Sequence, residues 1–172
     1  VPDCGFTADQ VGAGFERLAT AFHAAGKAFD VVIVPDKHAI YPDRLDTGNG
    51  LPTPCTDEQR DAMRAWIAGH PDLAVDGWAP LLEARAAGSG RSDLYYAQDT
   101  HWTPTGAVAV IERLVTALGP SVWDPRDVVP SGKLSRRVDL ASQQGIPRTE
   151  VVPRLRIRPD VKLERTTIPV SV

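Results

Sequence analysis

Phe29-Asp30-Val31-Val32-Ile33-Val34-Pro35-Asp36-Lys37 is the stretch on which the fold turns. Its β-branched, mostly apolar run reads as a parallel strand covered by helices on both faces. Pro35-Asp36-Lys37 ends the run at its carboxyl edge, where open α/β sheets carry their functional loops. Upstream, Val11, Phe15, Leu18 and Phe22 recur at three- and four-residue steps, so residues 8–27 read as an amphipathic helix closed by Gly26. Downstream, Tyr41-Pro42-Asp43, Gly48-Asn49-Gly50 and two further prolines make residues 38–55 a long ordered loop.

The pattern then repeats. Thr56-Asp57-Glu58 opens a helix that runs through Met63, Trp66 and Ile67 to Gly69-His70-Pro71. Leu73-Ala74-Val75-Asp76 is a weaker strand, and residues 78–87 form a third helix. A turn-rich break at residues 88–93 leads into Leu94-Tyr95-Tyr96, a strand or an extended approach. Residues 105–118 are the clearest helix, with Val108, Ile111, Val115 and Leu118 on one stripe. Past Gly119 come Pro-rich turns, one short helix near residues 138–144 and a strand over residues 151–157. This alternation predicts an α/β layered domain with a mainly parallel sheet flanked by helices. A length of 172 residues suits one domain, residues 1–172, with a proper core.

Hydrophobic content of 42% with 24% charged residues is that of a globular chain, and no apolar run approaches a membrane span. The opening Val1-Pro2-Asp3-Cys4 has neither Met nor a leader, which leaves a removed signal or anchor open. The net charge of -3 conceals a basic carboxyl-terminal third: Arg136, Arg137, Arg148, Arg154, Arg156, Arg158, Lys162 and Arg165. These read as a solvated strand edge guarded by charge, or as a patch that meets an acidic glycan. Nucleic acid is not expected, because no aromatic residues interleave with the cations. Cys4 and Cys55 are expected to pair if the compartment is oxidising, contributing roughly 3–4 kcal/mol. Two buried free thiols are the other reading.

Chemistry concentrates in Asp99-Thr100-His101-Trp102-Thr103-Pro104, followed at once by Gly106-Ala107. On an extended stretch an Asp two residues before a His shares its face, so the carboxylate can hold one imidazole nitrogen while the other meets a nucleophile. Thr103 reads as a helix cap and Pro104 as a first-turn residue. A structural hydrogen bond at a helix start explains a lone Asp-x-His equally well. With one Cys pair and scattered histidines, zinc spacing is unmet, although His101, Asp99 and His38 form a conceivable metal set. No cofactor is expected.

Three blocks resemble the SGNH-hydrolase-like domain of the bacterial polysaccharide O-acetyltransferases typified by the alginate acetylation proteins AlgX and AlgJ. Val34-Pro35-Asp36-Lys37-His38-Ala39-Ile40-Tyr41-Pro42 is similar to that family's "VP-(N/D)-K-x-x-(I/V)-Y-P". Tyr95-Tyr96-Ala97-Gln98-Asp99-Thr100-His101-Trp102-Thr103-Pro104-Thr105-Gly106-Ala107 carries its "DTHWTPxGA". Val138-Asp139-Leu140-Ala141-Ser142-Gln143-Gln144-Gly145-Ile146-Pro147 resembles its "GDLA" stretch. The resemblance, over about residues 29–147, implies a Ser-His-Asp machine that moves an acetyl group onto a sugar hydroxyl, with His101 as general base and Asp99 as its orienting acid.

The family's nucleophile lies in a "GDS" turn downstream of the third block, and this chain contains no Gly-Asp-Ser. Ser89, Ser92, Ser142 and Ser171 are poor substitutes, since none sits on a nucleophile elbow. The expectation is a chain that stops before its serine and is inactive alone. Lys37 and Tyr41 are expected either to contact substrate or to pack the long loop, and Trp102 either to stack on a sugar ring or to join the core, with His38 at the rim; His23 and His70 are expected to be structural. The resemblance implies a polysaccharide acceptor, an acetyl donor delivered by a membrane acyltransferase, and a periplasmic or extracellular location with a membrane anchor in the full-length protein. The competing reading is a non-catalytic polysaccharide-binding module.

Overall fold

Thr7 starts the first helix, α1 (Ala8–Ala24), through a capping box in which its hydroxyl accepts from the Gln10 N–H at 3.2 Å while the Gln10 side chain accepts from the Thr7 N–H at 2.9 Å. The computed structural model describes residues 5, 7–44, 54–88, 94–119 and 124–161. The buried residues of α1 are Ala8, Gly12 and Ala19, with Phe15 beside the Trp66 ring at 5.8 Å. Leu18 and Phe22 stay exposed, so the inward face is rotated from the expected stripe. Trp66 causes this: its indole lies where a Cβ on residue 12 would stand, and the helix turns its smallest residue toward it.

β1 (Val31–Ile33) pairs in parallel with β2 (Ala74–Asp76), Val32 opposite Val75. Asp36 accepts from the Ala39 N–H at 2.9 Å and starts a short helix, α2 (Lys37–Ile40), inside the stretch expected to be loop. A 3-10 turn at Pro42–Arg44 follows. α3 (Pro54–Gly69), α4 (Trp78–Ala86) and α5 (Pro104–Leu118) complete the main layer, and Ile40, Leu81 and Leu94 lie fully buried between them. Each such side chain contributes roughly 1.5–3 kcal/mol by leaving water. Among the described side chains of α5 the buried apolar one is Val110, not Ile111, with Gly106 buried a turn earlier.

The second sheet differs most from expectation. β3 (Val128–Arg137) runs antiparallel to β4 (Thr149–Ile157) over a region that reads as turns, because Pro130-Ser131-Gly132 interrupts the pattern. The ladder absorbs that interruption as an irregularity between Pro130 and Lys133, the position to which strands confine proline and glycine. α6 (Asp139–Gln143) joins the two strands, and Tyr96, Val138, Ala141 and Val152 form a smaller core beneath it. Among the described residues the fold is therefore α/β with a two-stranded parallel sheet and a longer antiparallel ribbon. Arg136, Arg137, Arg154 and Arg156 lie on that ribbon; Lys162 and Arg165 fall outside the described residues.

Cys55 is disulfide-bonded. Cys4, its proposed partner, lies outside the described residues. No described helix is long and apolar enough to cross a membrane.

Candidate active site

Leu94-Tyr95-Tyr96 leaves the core extended and meets Trp102-Thr103 in an antiparallel bridge. Thr103 N–H donates to the Leu94 carbonyl at 2.9 Å, and Tyr96 N–H to the His101 carbonyl at 3.2 Å. Residues 97–101 are the tight excursion between these arms. Two oppositely charged side chains clamp it. The Lys37 ammonium donates to the carbonyls of Tyr96 at 2.8 Å, Ala97 at 2.5 Å and, more loosely, Asp99 at 3.4 Å. The Glu150 carboxylate, on β4, accepts from the N–H groups of Ala97 at 2.7 Å and Gln98 at 2.6 Å. Burial pulls Lys37 below its ordinary pKa, and the negative charges of Glu150 and Asp99 oppose that shift. Tyr95 fastens the excursion to the end of β1 by donating its buried hydroxyl to the Pro35 carbonyl at 2.6 Å. Thr103 accepts from the Gly106 N–H and opens α5 with Pro104 in its first turn.

Asp99 is fully buried within this clamp. Its Oδ1 accepts from both the His101 backbone N–H at 2.9 Å and the His101 ring Nδ1 at 2.6 Å. Its Oδ2 accepts from the Asp139 N–H at 2.9 Å, with the Arg136 Nε at 3.8 Å. The pairing of acid and imidazole does not come from strand alternation. The backbone bends at residues 99–101, and the carboxylate closes an Asx turn on the same residue whose ring it holds. Burial pushes the Asp99 carboxyl up, but the two backbone donors, the imidazole and Arg136 outweigh it and leave the acid below its ordinary value.

A carboxylate only accepts, so Nδ1 carries the proton and Nε2 presents its lone pair. The His101 side chain is 53% exposed, and among the described residues Nε2 has no hydrogen-bond partner. The arrangement is a buried acid behind an exposed base.

Asp139 completes the cluster. Its Oδ1 accepts from the Thr100 N–H at 2.9 Å, its Oδ2 from the Thr100 hydroxyl at 2.5 Å, and Oδ2 lies 3.5 Å from His101 Nδ1. The Thr100 hydroxyl, first among its causes, holds the Asp139 carboxyl below its ordinary pKa. Asp99, His101 and Asp139 approach closely enough to share a cation. However, the oxygens of both carboxylates already accept from N–H and O–H donors, which suits a hydrogen-bonded acid-base unit better than a ligand set.

Of the residues read as substrate contacts or packing, Tyr41 is 3% exposed and packs edge-on to Tyr95, the packing arrangement. Lys37 spends its donors on backbone carbonyls, and Trp102 is half-buried against the main core. His38 pairs with Asp36 at 2.9 Å and lines a separate cavity of about 320 Å³ with Trp78 and Arg60. His70 stacks on Trp66 and meets Glu16 at 3.3 Å, a structural position. Ser142 donates to the Val138 carbonyl at 2.7 Å, and among the described residues no serine hydrogen-bonds the His101 ring. Ser89, Ser92 and Ser171 lie outside the described residues. Sequence reasoning missed Thr100, Arg136, Asp139 and Glu150 as site residues; Thr100 and Asp139 had a signal, their places in the second and third blocks. Two shallow cavities of about 310–320 Å³ flank Ala97–Gln98, while the larger one, about 720 Å³ between α3, β2 and α5, contains none of these residues.

An exposed imidazole backed by a buried carboxylate at a loop-to-helix junction has the geometry that the acid-base half of a hydrolase- or transferase-type site requires. A family model described as "SGNH hydrolase-like domain, acetyltransferase AlgX" matches residues 7–169, and the chain belongs to that family. It is 26% identical over 161 residues to the probable alginate O-acetylase AlgJ of Pseudomonas syringae pv. tomato, covering 91% of this chain and 39% of that protein. It is 31% identical over 90 residues to the protein of the same name from Azotobacter vinelandii, covering 52% of this chain and 22% of the relative. Among solved structures it matches the O-acetyltransferase domain of Pseudomonas putida AlgJ with a TM-score of 0.64 at 21% identity, over 92% of this chain and 62% of that one, a likeness of fold. The chain thus spans about two-fifths or less of the length of these curated relatives.

The site has a measurable acid signature. Asp99 and Asp139 both have folded-state pKa values below the ordinary 3.8, so the stability they contribute is complete above that value and is lost as pH falls through the lowered ones. Urea unfolding followed from about pH 6 down to about pH 2 should show this loss below about pH 4, and Asp99→Asn should flatten it. An unchanged slope in Asp99→Asn would assign the acid sensitivity to other carboxylates.

Proposed function

We propose that this chain supplies the acid-base pair of an O-acetyltransferase that works by a Ser-His-Asp mechanism on hydroxyls of an exported polysaccharide. The observation that carries the reading is the 2.6 Å contact between fully buried Asp99 and half-exposed His101. In this scheme His101 Nε2 takes the proton of a serine hydroxyl as its oxygen attacks the acetyl carbonyl. The imidazolium then returns that proton to the departing donor group, leaving acetyl-serine. A sugar hydroxyl next gives its proton to His101 and attacks the acetyl-serine. Serine leaves and recovers the proton, and the sugar keeps the acetyl group. Asp99 stays ionised throughout and offsets the positive charge that appears on the ring.

The nucleophile in this reading belongs to the part of the relatives' length that this chain does not span, since no Gly-Asp-Ser occurs in its 172 residues. The names of the relatives support a polysaccharide acceptor of the alginate type; a periplasmic location and an acetyl donor handed over by a membrane acyltransferase complete the proposal. The test is transfer itself: the full-length gene product, given p-nitrophenyl acetate and a deacetylated acidic polysaccharide, should place new acetyl methyl signals on the polymer by proton NMR. Release of nitrophenol with none of the acetyl on the polymer would reduce the reading to an esterase; no turnover at all would end it.

A further inference from the structure

Thr100 separates the acid from the base, and a single side chain governs its position. The Asp139 carboxylate accepts from both the Thr100 N–H and its hydroxyl, while the Asp139 backbone N–H fixes Asp99 Oδ2 at 2.9 Å. One residue at the start of α6 therefore grips the excursion at both Asp99 and Thr100. The grip matters because residues 99–101 have no ladder of their own. His101 projects from that bend with its ring half in water, and an exposed imidazole on an unsupported bend would sample several rotamers. Resting on the Ser-His-Asp reading above, we propose that Asp139 is a positioning residue for the transfer reaction, holding the Asp99–Thr100–His101 turn so that Nε2 is aimed at the nucleophile.

The charges around the turn are consistent with this role. Arg136 reaches Asp99 Oδ2 at 3.8 Å from β3, Lys37 and Glu150 grip residues 96–99 from α2 and β4, and Asp139 brings the second carboxylate toward Nδ1, at 3.5 Å. Lys37 and Glu150 act on the backbone of residues 96–99, whereas among the described residues Asp139 is the one from another element that binds Thr100, the residue between acid and base. Its chemistry also explains why the position takes an acid. Asn would keep one acceptor for the Thr100 N–H but lose the second acceptor and the charge, and Ala would lose both.

The experiment measures acetyl-ester turnover in the full-length gene product for Asp139→Ala, Asp139→Asn, Thr100→Val and His101→Ala, alone and combined. Asp139→Ala should lower kcat about 10–100-fold with little change in KM, the range for losing a group that orients a reacting one. Asp139→Asn should fall between it and the parent. Asp139→Ala and Thr100→Val combined should lose little more than Asp139→Ala alone, because the two share one interaction. In the His101→Ala background Asp139→Ala should cost nothing further, since its effect passes through the imidazole. A further loss in that background would show a general structural role and overturn the proposal, as would an Asp139→Ala enzyme of parental kcat. If instead His101→Ala itself keeps full activity, it is the Ser-His-Asp reading that fails.

Discussion

His101→Ala in the full-length gene product should abolish acetyl-ester turnover to within the residual left by substrate binding, a loss of about 10⁴-fold or more in kcat. The size follows from where the proton must go. In the proposed mechanism the serine hydroxyl holds its proton far too tightly to attack an ester at neutral pH, and among the described residues His101 Nε2 is the exposed imidazole nitrogen at the site with no hydrogen-bond partner. Asp99→Asn should cost nearly as much without touching the nucleophile. An amide can place its NH₂ toward Nδ1, which stabilises the tautomer with its proton on Nε2, the wrong nitrogen for a base. It also leaves the backbone donors of His101 and Asp139 competing for a single carbonyl. Stopped-flow release of nitrophenol, with thermal unfolding to verify that each variant folds, measures both effects. If His101→Ala retained even a tenth of the parental kcat, the proton would be leaving by another route.

The parts of this site that were legible in the sequence are those specified by local chemistry. Thr103 and Pro104 announce the start of α5, and Asp36 announces α2 in hindsight, because caps act within three residues. Asp99 and His101 stand two residues apart, so their contact needed no knowledge of the rest of the chain. What stayed hidden acts at long separation. Glu150 grips Ala97 and Gln98 across more than fifty residues, and Arg136 and Asp139 reach Asp99 from a ribbon whose first strand reads as turns. Lys37 stayed open between substrate contact and loop packing for a related reason: a lysine in the first block, just past a strand edge, does not reveal in sequence the three carbonyls that turn toward it. The helix faces went astray for a steric reason that periodicity does not encode. Both α1 and α5 have more apolar positions than they can bury, and the side that enters the core is chosen by glycine, at Gly12 against Trp66 and at Gly106 against Leu94.

Gly106 therefore supports the second large prediction. A Cβ there would stand 2.2 Å from the Leu94 carbonyl oxygen and 3.0 Å from its carbon, both backbone atoms that cannot swing aside. The same oxygen accepts the Thr103 N–H at 2.9 Å, so relief means lifting the first turn of α5 off the strand that precedes the catalytic bend. Gly106→Ala should destabilise the protein by about 3 kcal/mol, the upper end for overpacking, and lower Tm by roughly 6–12 °C. It should also slow turnover, because the Tyr95–Trp102 bridge that brackets His101 moves with Leu94. Gly14→Ala is the matched control. It lies inside α1 with only the tip of Arg17 at 3.9 Å from the added methyl, so the same substitution should stabilise by about 0.5–1 kcal/mol through helix propensity. Opposite signs for one chemical change at two helical glycines, read by thermal unfolding, would show that close backbone contact sets the seat of α5. Equal effects at both would mean that Leu94 yields, and that the rigidity of the bend comes from the Lys37 and Glu150 clamp alone.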